Sequence, residues 1–455
     1  MPKKTPIRIY EYGSLYEAGY PACEGQTCLG KETFDNLWNF ILSDNRPKDA
    51  EAILTVHKKG KYRIIKARKY VGTIQTTDGQ FIEILPKIYK ASGELESDAR
   101  RSRDIFLTML RHFPDAKSKT FQFAGLDMDE DFPILEIYIS NYLREVEKFT
   151  STGIRKDYRR EEDNKRFLKG QLMVSKHIIK NICDKTRFYV RSEEYSMNIP
   201  HNRIIVSTLE HLLQTTRSAA NRHTARKLLA LFDTVPASTD LRADFNAVGI
   251  KNRMFSSYEN IMEWSRQILT NNGYTTFAGE YVNQALLFSA EELFQNFIAY
   301  LFKKHLKDYT VYSQHQGIFL IDDHMGRKAF RLKPDIYAMP NDPDSSCLIM
   351  DTKWKNIDGE KSEKAYMIDM KDIYQLYGYG KKYALHTCSG KSGNQPKLVL
   401  IYPYTDRFKA FLDPFSYEKT TSADGLELLV VPFDLSDIST YGSQVLAIAE
   451  TAQKM

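Results

Sequence analysis

The chain has 455 residues, 42% of them hydrophobic and 27% charged, which is typical of a globular protein and excludes a disordered chain or a coiled coil. No apolar run reaches the ~20 residues of a membrane helix, and the lysine-bearing N-terminus has no apolar stretch behind it, so neither a membrane span nor a secretory signal is expected. The five scattered cysteines favour reduced thiols in a cytoplasmic protein, and the net charge of +6 permits nucleic acid as a partner without requiring it.

The first hundred residues are dominated by segments in which apolar and polar residues alternate, the pattern of half-buried strands. Turn sequences separate them, for example Thr77-Asp78-Gly79. A helix is expected over residues 31–43. The expected strands are residues 6–12, 52–57, 62–67, 70–75 and 80–85. We therefore expect a β-rich N-terminal domain over residues 1–100, as either a meander or a small barrel, that docks on a partner.

The middle region, residues 101–274, changes to the apolar spacing of helices. The expected helices lie around residues 105–113, 134–143, 201–215, 222–232 and 252–270. Residues 144–191 hold 14 Lys and Arg against 7 Asp and Glu, a net charge of +7. Two interpretations of this segment stay open: a solvated helical face, or a surface that contacts phosphates or an acidic partner.

The last region, residues 275–455, alternates helices with strands. A long amphipathic helix is expected over residues 283–305 and a second helix over residues 363–383. The expected strands are residues 309–313, 317–321, 329–338, 347–354 and 397–404. Helix, strands, helix and strand in this order predict an α/β layered domain, so the whole chain is a multi-domain α/β protein.

Two carboxylates and a lysine carry the densest chemical signal. Asp335 follows a proline, and Asp351 and Lys353 stand two residues apart after an apolar run, so their side chains leave the same face of a strand. Residues 341–346 suit a hairpin loop, which would place Asp335 beside Asp351. Such a pair can hold Mg²⁺, which binds substrate phosphate oxygens in its remaining positions, while the lysine stabilises charge on the phosphate. An Asp–Lys ion pair at a strand end is the structural alternative.

Gln375 and Tyr379 stand four residues apart on the second helix. They therefore share a helix face and are expected to assist in positioning the DNA phosphate. The histidines, by contrast, show no i, i+4 pair, which disfavours a histidine–metal hydrolase.

The sequences PDIYAM from Pro334, IMDTKWK from Ile349 and DIYQLYGYG from Asp372 resemble the PD-(D/E)xK nuclease core. They are most similar to the McrC family, the nuclease subunit of modification-dependent restriction systems, which act in defence against foreign DNA. Weaker similarities are EILPKI from Glu83, LKGQL from Leu168 and Asn202-Arg203, so the resemblance spans about residues 80–385. It implies a C-terminal PD-(D/E)xK domain that is a Mg²⁺-dependent endonuclease for double-stranded DNA, with Mn²⁺ as the alternative metal.

The resemblance also implies a separate partner, a McrB-like AAA+ GTPase hexamer whose GTP hydrolysis this chain stimulates. GTP would be bound by that partner, because this chain lacks the phosphate-binding pattern GxxxxGK[ST]. A basic residue of the +7 segment would then reach toward the nucleotide. The candidates are Arg155, Arg159, Arg160 and Arg166.

One position departs from the family pattern. The first helix of the nuclease region carries Phe294-Gln295 where the family has Phe-Glu. Glu292 lies three residues earlier on nearly the same face and is the expected substitute as a metal ligand, with a plain surface position as its alternative. The departure also supports a rival function, a non-catalytic bridging subunit that activates the GTPase. A third possibility is a DNA repair nuclease that works without a motor.

Overall fold

The computed structural model describes residues 6–21, 27–42, 53–87, 95–111, 134–248, 258–269, 275–277, 282–386, 395–418 and 425–455. The chain divides into two compact units. The first unit combines Met1–Gln122 with Leu287–Met455, and the second is Phe123–Leu286. The combination of helices and sheets confirms the multi-domain α/β class, while the division at residues 100 and 274 stays a prediction.

The N-terminal part of the first unit is rich in strands, as the alternating pattern predicted. Its elements are β1 (Ile7–Tyr10), β2 (Ser14–Glu17), β3 (Cys28–Leu29), α1 (Lys31–Leu42), β4 (Leu54–Lys59), β5 (Tyr62–Ala67), β6 (Tyr70–Thr76), β7 (Phe81–Leu85) and α2 (Leu95–Arg111). In one sheet β1 runs parallel to β7, and β6 runs antiparallel to β7. A second sheet has the strand order β3-β2-β5-β4. The strands thus fall into two sheets.

The second unit contains the predicted helices and a sheet that the sequence did not predict. Its elements are α3 (Ile134–Ser151), β8 (Asp157–Lys165), β9 (Gln171–Leu172), α4 (Val174–Lys180), β10 (Phe188–Ser196), α5 (Pro200–Thr215), α6 (Ala219–Leu231), α7 (Leu241–Val248), α8 (Glu259–Leu269) and β11 (Thr275–Phe277). The strand order β8-β10-β9 is antiparallel. The solvated helical face is therefore wrong for most of residues 144–191. Cross-strand ion pairs such as Arg191–Glu162, at 2.7 Å, stabilise strands that carry few apolar residues.

Two of the weaker family similarities have a structural explanation in the second unit. Asn202 is fully buried at the start of α5, where its amide donates to the carbonyls of Arg155 (3.1 Å) and Met197 (2.7 Å) and accepts from the Tyr258 hydroxyl. Gly170 has φ +84° just before β9, and a Cβ there would lie 2.4 Å from the Arg191 carbonyl oxygen. Both residues therefore serve the fold.

We expect Gly170→Ala to destabilise the β9–β10 pairing by about 2 kcal/mol, because alanine adds both left-handed strain and a backbone clash. Hydrogen exchange of the β9 and β10 amides measures the effect. Gly153→Ala is the matched control, since Gly153 also has a positive φ, +96°, but open space around its Cβ position. Equal losses of protection in the two variants would contradict the proposed clash.

The C-terminal part of the first unit is built around a six-stranded sheet. Its elements are β12 (Val282–Ser289), α9 (Ala290–His305), β13 (Tyr309–Ser313), β14 (Phe319–His324), β15 (Arg327–Arg331), β16 (Ile336–Pro340), β17 (Leu348–Thr352), α10 (Met370–His386), β18 (Lys397–Pro403), β19 (Phe415–Ser416), β20 (Glu427–Phe433) and α11 (Tyr441–Lys454). The sheet order is β13-β16-β17-β18-β20-β19. Strands β17, β18 and β20 run parallel to one another. They are almost wholly buried because α10 packs on one face and α11 on the other.

Three element boundaries differ from the sequence predictions. The helix predicted over residues 283–305 begins at Ala290, because Ser289 caps it by accepting the Glu292 N–H at 3.4 Å, and the preceding residues form β12. The strand predicted over residues 329–338 is interrupted before β16 by Pro334, which lacks an N–H. The helix predicted from residue 363 begins at Met370, after a 3₁₀ turn, Ser362–Met367. Strand β20 and helix α11 were not predicted from the sequence.

Cys28 is disulfide-bonded, so the prediction of reduced thiols is wrong for this residue. Cys183 and Cys347 are thiols that take part in no disulfide within the described structure. Among the helices in the described part of the chain, none is both long enough and apolar enough to cross a bilayer.

Candidate active site

The hairpin of β16 and β17 places Asp335 beside Asp351. The strands are antiparallel, with Ile336 opposite Met350, so the residues on either side of this pair are also neighbours. Thr352 fixes the Asp335 carboxylate by donating its backbone N–H and its hydroxyl to Oδ2, each at 2.8 Å. The two carboxylates meet as the sequence predicted, whereas their catalytic role stays a prediction.

Lys353 lies directly after β17 and reaches both Asp351 and helix α10. Its Nζ forms an ion pair with Asp351 Oδ2 and donates to Gln375 Oε1 at 3.0 Å. Asp372 Oδ1 lies 3.8 Å from the same Nζ, and Asp372 also accepts from Lys355. The Lys353 ammonium group is therefore held beside the carboxylate pair by Asp351 on one side and by residues of α10 on the other.

Burial and charge proximity shift the pKa values of this group. Burial raises the pKa of Asp335 and of Asp351, and repulsion from Asp335 raises the pKa of Asp351 further. Burial alone would lower the pKa of Lys353, but Asp351, Asp372 and Asp335 together raise it. Lys353 is therefore a permanent cation that suits charge stabilisation and not proton abstraction.

Gln375 and Tyr379 continue the hydrogen-bonded chain along α10. Gln375 Nε2 donates to the Tyr379 hydroxyl at 2.8 Å, and that hydroxyl donates to the Lys333 carbonyl at 3.2 Å. The pair shares a helix face, as its spacing predicted. Since the Tyr379 side chain is buried, its contacts suit the positioning of Gln375 and Lys353 better than direct contact with a phosphate.

Gln295 of α9, and not Glu292, is the helix residue observed at the carboxylate pair. Gln295 Nε2 donates to Asp335 Oδ1 at 2.6 Å. Glu292 is exposed, and the neighbouring charges that shift its pKa are Lys69 and Glu291. The pKa values of Asp335 and Asp351 are shifted by other charged residues. In the described contacts Gln295 thus occupies the place that the sequence analysis assigned to Glu292.

We expect Gln295→Ala to lower Mg²⁺ affinity and DNA cleavage about 10- to 100-fold, the usual effect of removing a residue that orients a metal ligand. Glu292→Gln is the paired variant on the same helix. It should leave both quantities near the wild-type values. Calorimetric titration with Mg²⁺ together with a cleavage assay decides between them, and the opposite ranking would restore Glu292 as the metal ligand.

The carboxylate pair is a suitable donor set for Mg²⁺. Asp351 Oδ2 is buried and accepts no hydrogen bond of ordinary geometry, although Lys353 pairs with it, and Asp335 Oδ1 keeps a second lone pair beside its bond from Gln295. Within the described residues, no group of three or more His, Cys, Asp and Glu side chains converges. Mg²⁺ commonly binds through one or two carboxylates plus substrate phosphates, so two carboxylates are sufficient.

The N-terminal part of the first unit contacts this site through Glu11. Glu11 Oε1 accepts the indole N–H of Trp354 at 2.7 Å and the Lys87 N–H at 3.0 Å, and Trp354 is the residue after Lys353. The Trp354 ring also packs on Phe294, with ring centroids 5.2 Å apart. Glu11 Oε2 is buried without a hydrogen-bond partner, and burial raises the pKa of Glu11 to about 6.

We expect Glu11→Gln to raise the free energy of unfolding by about 2 kcal/mol at pH 8, because glutamine keeps an acceptor but carries no buried charge. The wild-type protein loses stability as pH rises from about 4.5 through about 6, so the difference should shrink toward zero at acidic pH. Urea denaturation across this range measures it.

Glu17→Gln is the control of opposite sign, because the hydrogen bond from Arg63 lowers the pKa of Glu17. It should destabilise the protein at pH 8. If the effect of Glu11→Gln on the free energy of unfolding did not depend on pH, the buried charge of Glu11 would not be its cause.

Several residues of the site were not predicted from the sequence. Asp372 could have been found, since it lies three residues before Gln375 on the same helix face. Thr352 is adjacent to Asp351 and carried no separate signal. Glu11 lies 343 residues from Trp354, and no local pattern reports such a contact.

Comparison with known proteins identifies the family. The model of the family described as McrBC 5-methylcytosine restriction system component matches residues 65–403. A chain in a half-complex from a tetradecameric assembly of Thermococcus gammatolerans McrB AAA+ hexamers with bound McrC is 18% identical, with a TM-score of 0.63 over 98% of this chain and 100% of that chain. The cryo-EM structure of the Thermococcus gammatolerans McrBC complex gives 21% identity and a TM-score of 0.47 over 67% of this chain and 89% of its own. No curated protein matches at a significant level.

At this level of identity the half-complex supports the fold alone. The family match covers well over half of the sequence and includes Asp335, Asp351, Lys353, Gln375 and Tyr379. The chain therefore belongs to the McrBC family of 5-methylcytosine restriction system components, in agreement with its resemblance to McrC.

Proposed function

We propose that this chain is the Mg²⁺-dependent endonuclease subunit of a McrBC-like restriction system and that it cleaves double-stranded DNA. The six-stranded sheet with α9 and α10 would be its PD-(D/E)xK nuclease domain. One observation carries the proposal: the carboxylates of the partly buried Asp335 and the buried Asp351 lie side by side, and the Lys353 ammonium group pairs with Asp351. A purely structural site gains little from placing like charges together, since burial and the charge of Asp335 both raise the pKa of Asp351.

The residues have distinct roles in this proposal. Asp335 and Asp351 would hold Mg²⁺, which when bound polarises the phosphate and activates water. Lys353 stabilises negative charge that develops on the phosphate, and its contacts with Asp351 and Gln375 fix its position. Thr352 and Gln295 hold the Asp335 carboxylate in one orientation.

A McrB-like AAA+ GTPase hexamer is the proposed partner, and it would bind GTP in place of this chain. The related half-complex contains McrB hexamers with bound McrC, which supports the proposal. The second unit also exposes a group of large apolar side chains around α4, too many for a surface with no partner. They are Phe167, Leu168, Val174, Ile178, Ile179 and Ile182. We assign this group to docking, and we assign stimulation of GTP hydrolysis to Arg155, Arg166, Arg159 and Arg160, the last two of which have side chains outside the described structure.

Plasmid cleavage by the full-length chain with its cognate GTPase, GTP and Mg²⁺ tests the nuclease assignment. Removal of the metal with EDTA should abolish cleavage, and Mg²⁺ or Mn²⁺ should restore it. A cleavage rate that is unchanged by EDTA would reject the assignment.

Co-migration with the GTPase in size-exclusion chromatography tests the docking assignment. Ile178→Asp combined with Ile179→Asp should abolish complex formation and GTPase stimulation. Ile438→Asp is the control, because Ile438 is similarly exposed but belongs to the first unit. Alanine changes at the four arginines should lower GTPase stimulation, and full stimulation in that variant would remove them from this role.

A further inference from the structure

Strands β14 and β15 form a hairpin that is separate from the six-stranded sheet. His324 pairs with Arg327, so the connection is the two residues Met325 and Gly326, with φ angles of +54° and +76°. Two positive φ angles are typical of a type I′ turn, which matches the natural twist of a hairpin. Asp323 Oδ1 accepts the Gly326 N–H at 2.9 Å, which fixes the turn.

The hairpin exposes cations and large apolar side chains together. Arg327 and Lys328 are exposed, and within the described part of the chain neither pairs with a carboxylate. Met325 at the tip is 90% exposed and Phe330 is 74% exposed. Phe330 also has φ +57°, a strained conformation for a bulky residue.

The acidic residues of the hairpin are already engaged. Asp322 accepts from Lys382 of α10 at 2.7 Å, and Asp323 serves the turn. Asp323 keeps its negative charge while it accepts the N–H of the turn. Arg327, Lys328 and Arg331 outnumber it, so the net charge of the exposed hairpin is positive and complements a polyanion.

The base of the hairpin is attached to the candidate active site. The Leu332 N–H donates to the Ile318 carbonyl and the Gln314 N–H to the Asp335 carbonyl, each at 2.9 Å. The Asp322–Lys382 pair ties the hairpin to α10, the helix that carries Gln375 and Tyr379. At about 3.3 Å per residue, Arg327 lies within about 26 Å of Asp335 along the chain, or about 8 base pairs of duplex.

We infer that this hairpin is a DNA-binding ribbon that holds the duplex beside the cleavage site. Arg327 and Lys328 bind backbone phosphates, and Phe330 packs against the bases. A two-stranded ribbon fits the major groove, where a phenylalanine can make an apolar contact with the methyl group of a thymine. The inference rests on the proposed nuclease function and extends it by naming the surface that holds the substrate.

Binding of a fluorescent duplex to the full-length chain tests the inference, in the Asp351→Asn background so that no cutting occurs. Arg327→Ala combined with Lys328→Ala should weaken binding about tenfold or more near 0.1 M salt. It should also lower the slope of log Kd against log salt by about 2, the signature of two lost phosphate contacts. Lys303→Ala with Lys304→Ala is the matched control, since it removes two exposed cations at the far end of α9 and should leave the slope unchanged.

Phe330→Ala separates base packing from charge. It should weaken binding about tenfold while the salt slope stays at the wild-type value, because an apolar contact with a base edge releases no counterions. A loss caused by a collapsed hairpin would change affinity and slope together, which would overturn the assigned roles.

Three outcomes would overturn the inference. If the Arg327/Lys328 variant bound DNA with wild-type affinity and salt slope while the wild-type chain cleaved DNA, the hairpin would have no role in DNA binding, but the nuclease function would stand. Unchanged DNA binding with lost GTPase stimulation would assign the hairpin to the protein partner. If the wild-type chain neither bound nor cleaved DNA with its partner, the proposed function itself would fail.

Discussion

Asp351→Asn should reduce DNA cleavage by about a thousandfold or more while the fold is retained. A bound metal supplies several kcal/mol of transition-state stabilisation, and each 1.4 kcal/mol changes the rate tenfold. Asparagine has nearly the same shape but lacks the charge that holds a divalent cation. Stimulation of the partner's GTPase should persist, because the proposed docking residues lie in the second unit.

The same substitution should leave the free energy of unfolding unchanged or raise it when no metal is present. Burial and the charge of Asp335 raise the pKa of Asp351. The ionised carboxylate therefore destabilises the folded protein, and this loss of stability grows as pH rises above about 4 through the raised pKa. Lys353 keeps its contact with Gln375 after the change. Lost activity without lost stability distinguishes a functional residue from a structural one.

Metal binding gives an independent measurement of this prediction. Mg²⁺ should raise the unfolding temperature of the wild-type protein, since a ligand of the folded state stabilises it, and should have no effect on Asp351→Asn. Asp344→Asn is the matched control, because Asp344 is exposed in the loop between the same two strands. If Asp351→Asn unfolded the protein, or if it kept its response to Mg²⁺, the role assigned to Asp351 would be wrong.

Glu136→Ala should destabilise the second unit by about 3 kcal/mol or more. The buried Glu136 carboxylate in α3 accepts the Thr216 hydroxyl (2.6 Å), the N–H groups of Arg217 (2.5 Å) and Ser218 (3.2 Å), and the Asn221 amide (2.8 Å). It thereby satisfies four donors that lie just before α6 and in its first turn. Each hydrogen bond to a charged group contributes roughly 1.5–3 kcal/mol, and donors left unsatisfied add a further cost.

Hydrogen exchange of the α6 amides measures this effect within the unit, where global unfolding of a two-unit chain would not. Glu147→Ala is the matched control. Glu147 also joins α3 to α6, through an exposed 2.9 Å pair with Lys227, and should contribute less than about 1 kcal/mol. Equal effects of the two variants would mean that burial does not set the strength of the Glu136 contacts.

The juxtaposition of Asp335 and Asp351 could be predicted because it depends on local rules. A polar loop between two apolar segments predicts a hairpin, and the antiparallel register then places the residues at the open ends of its strands together. The Gln375–Tyr379 contact follows in the same way from helical spacing. Their neighbour Lys353 was predictable from the two-residue period of a strand.

The rest depends on contacts that no local pattern contains. The strands β8 and β10 are rich in charged residues and lack a regular apolar alternation, so the sequence pattern did not indicate them. Gln295 meets Asp335 across 40 residues, so its amide contact could not be inferred from either segment alone. The start of α9 was missed although Ser289 and Glu292 form a capping signature, since the apolar residues of β12 extended the helical pattern.

Plasmid cleavage and GTP turnover, measured in the same reaction with the cognate GTPase, GTP and Mg²⁺, decide whether this chain is a nuclease. Wild-type protein should cut the plasmid and stimulate GTP hydrolysis. Asp351→Asn should stimulate hydrolysis equally and cut nothing. If the wild-type protein stimulated hydrolysis but cut neither methylated nor unmethylated DNA, the chain would be a bridging subunit and not a nuclease.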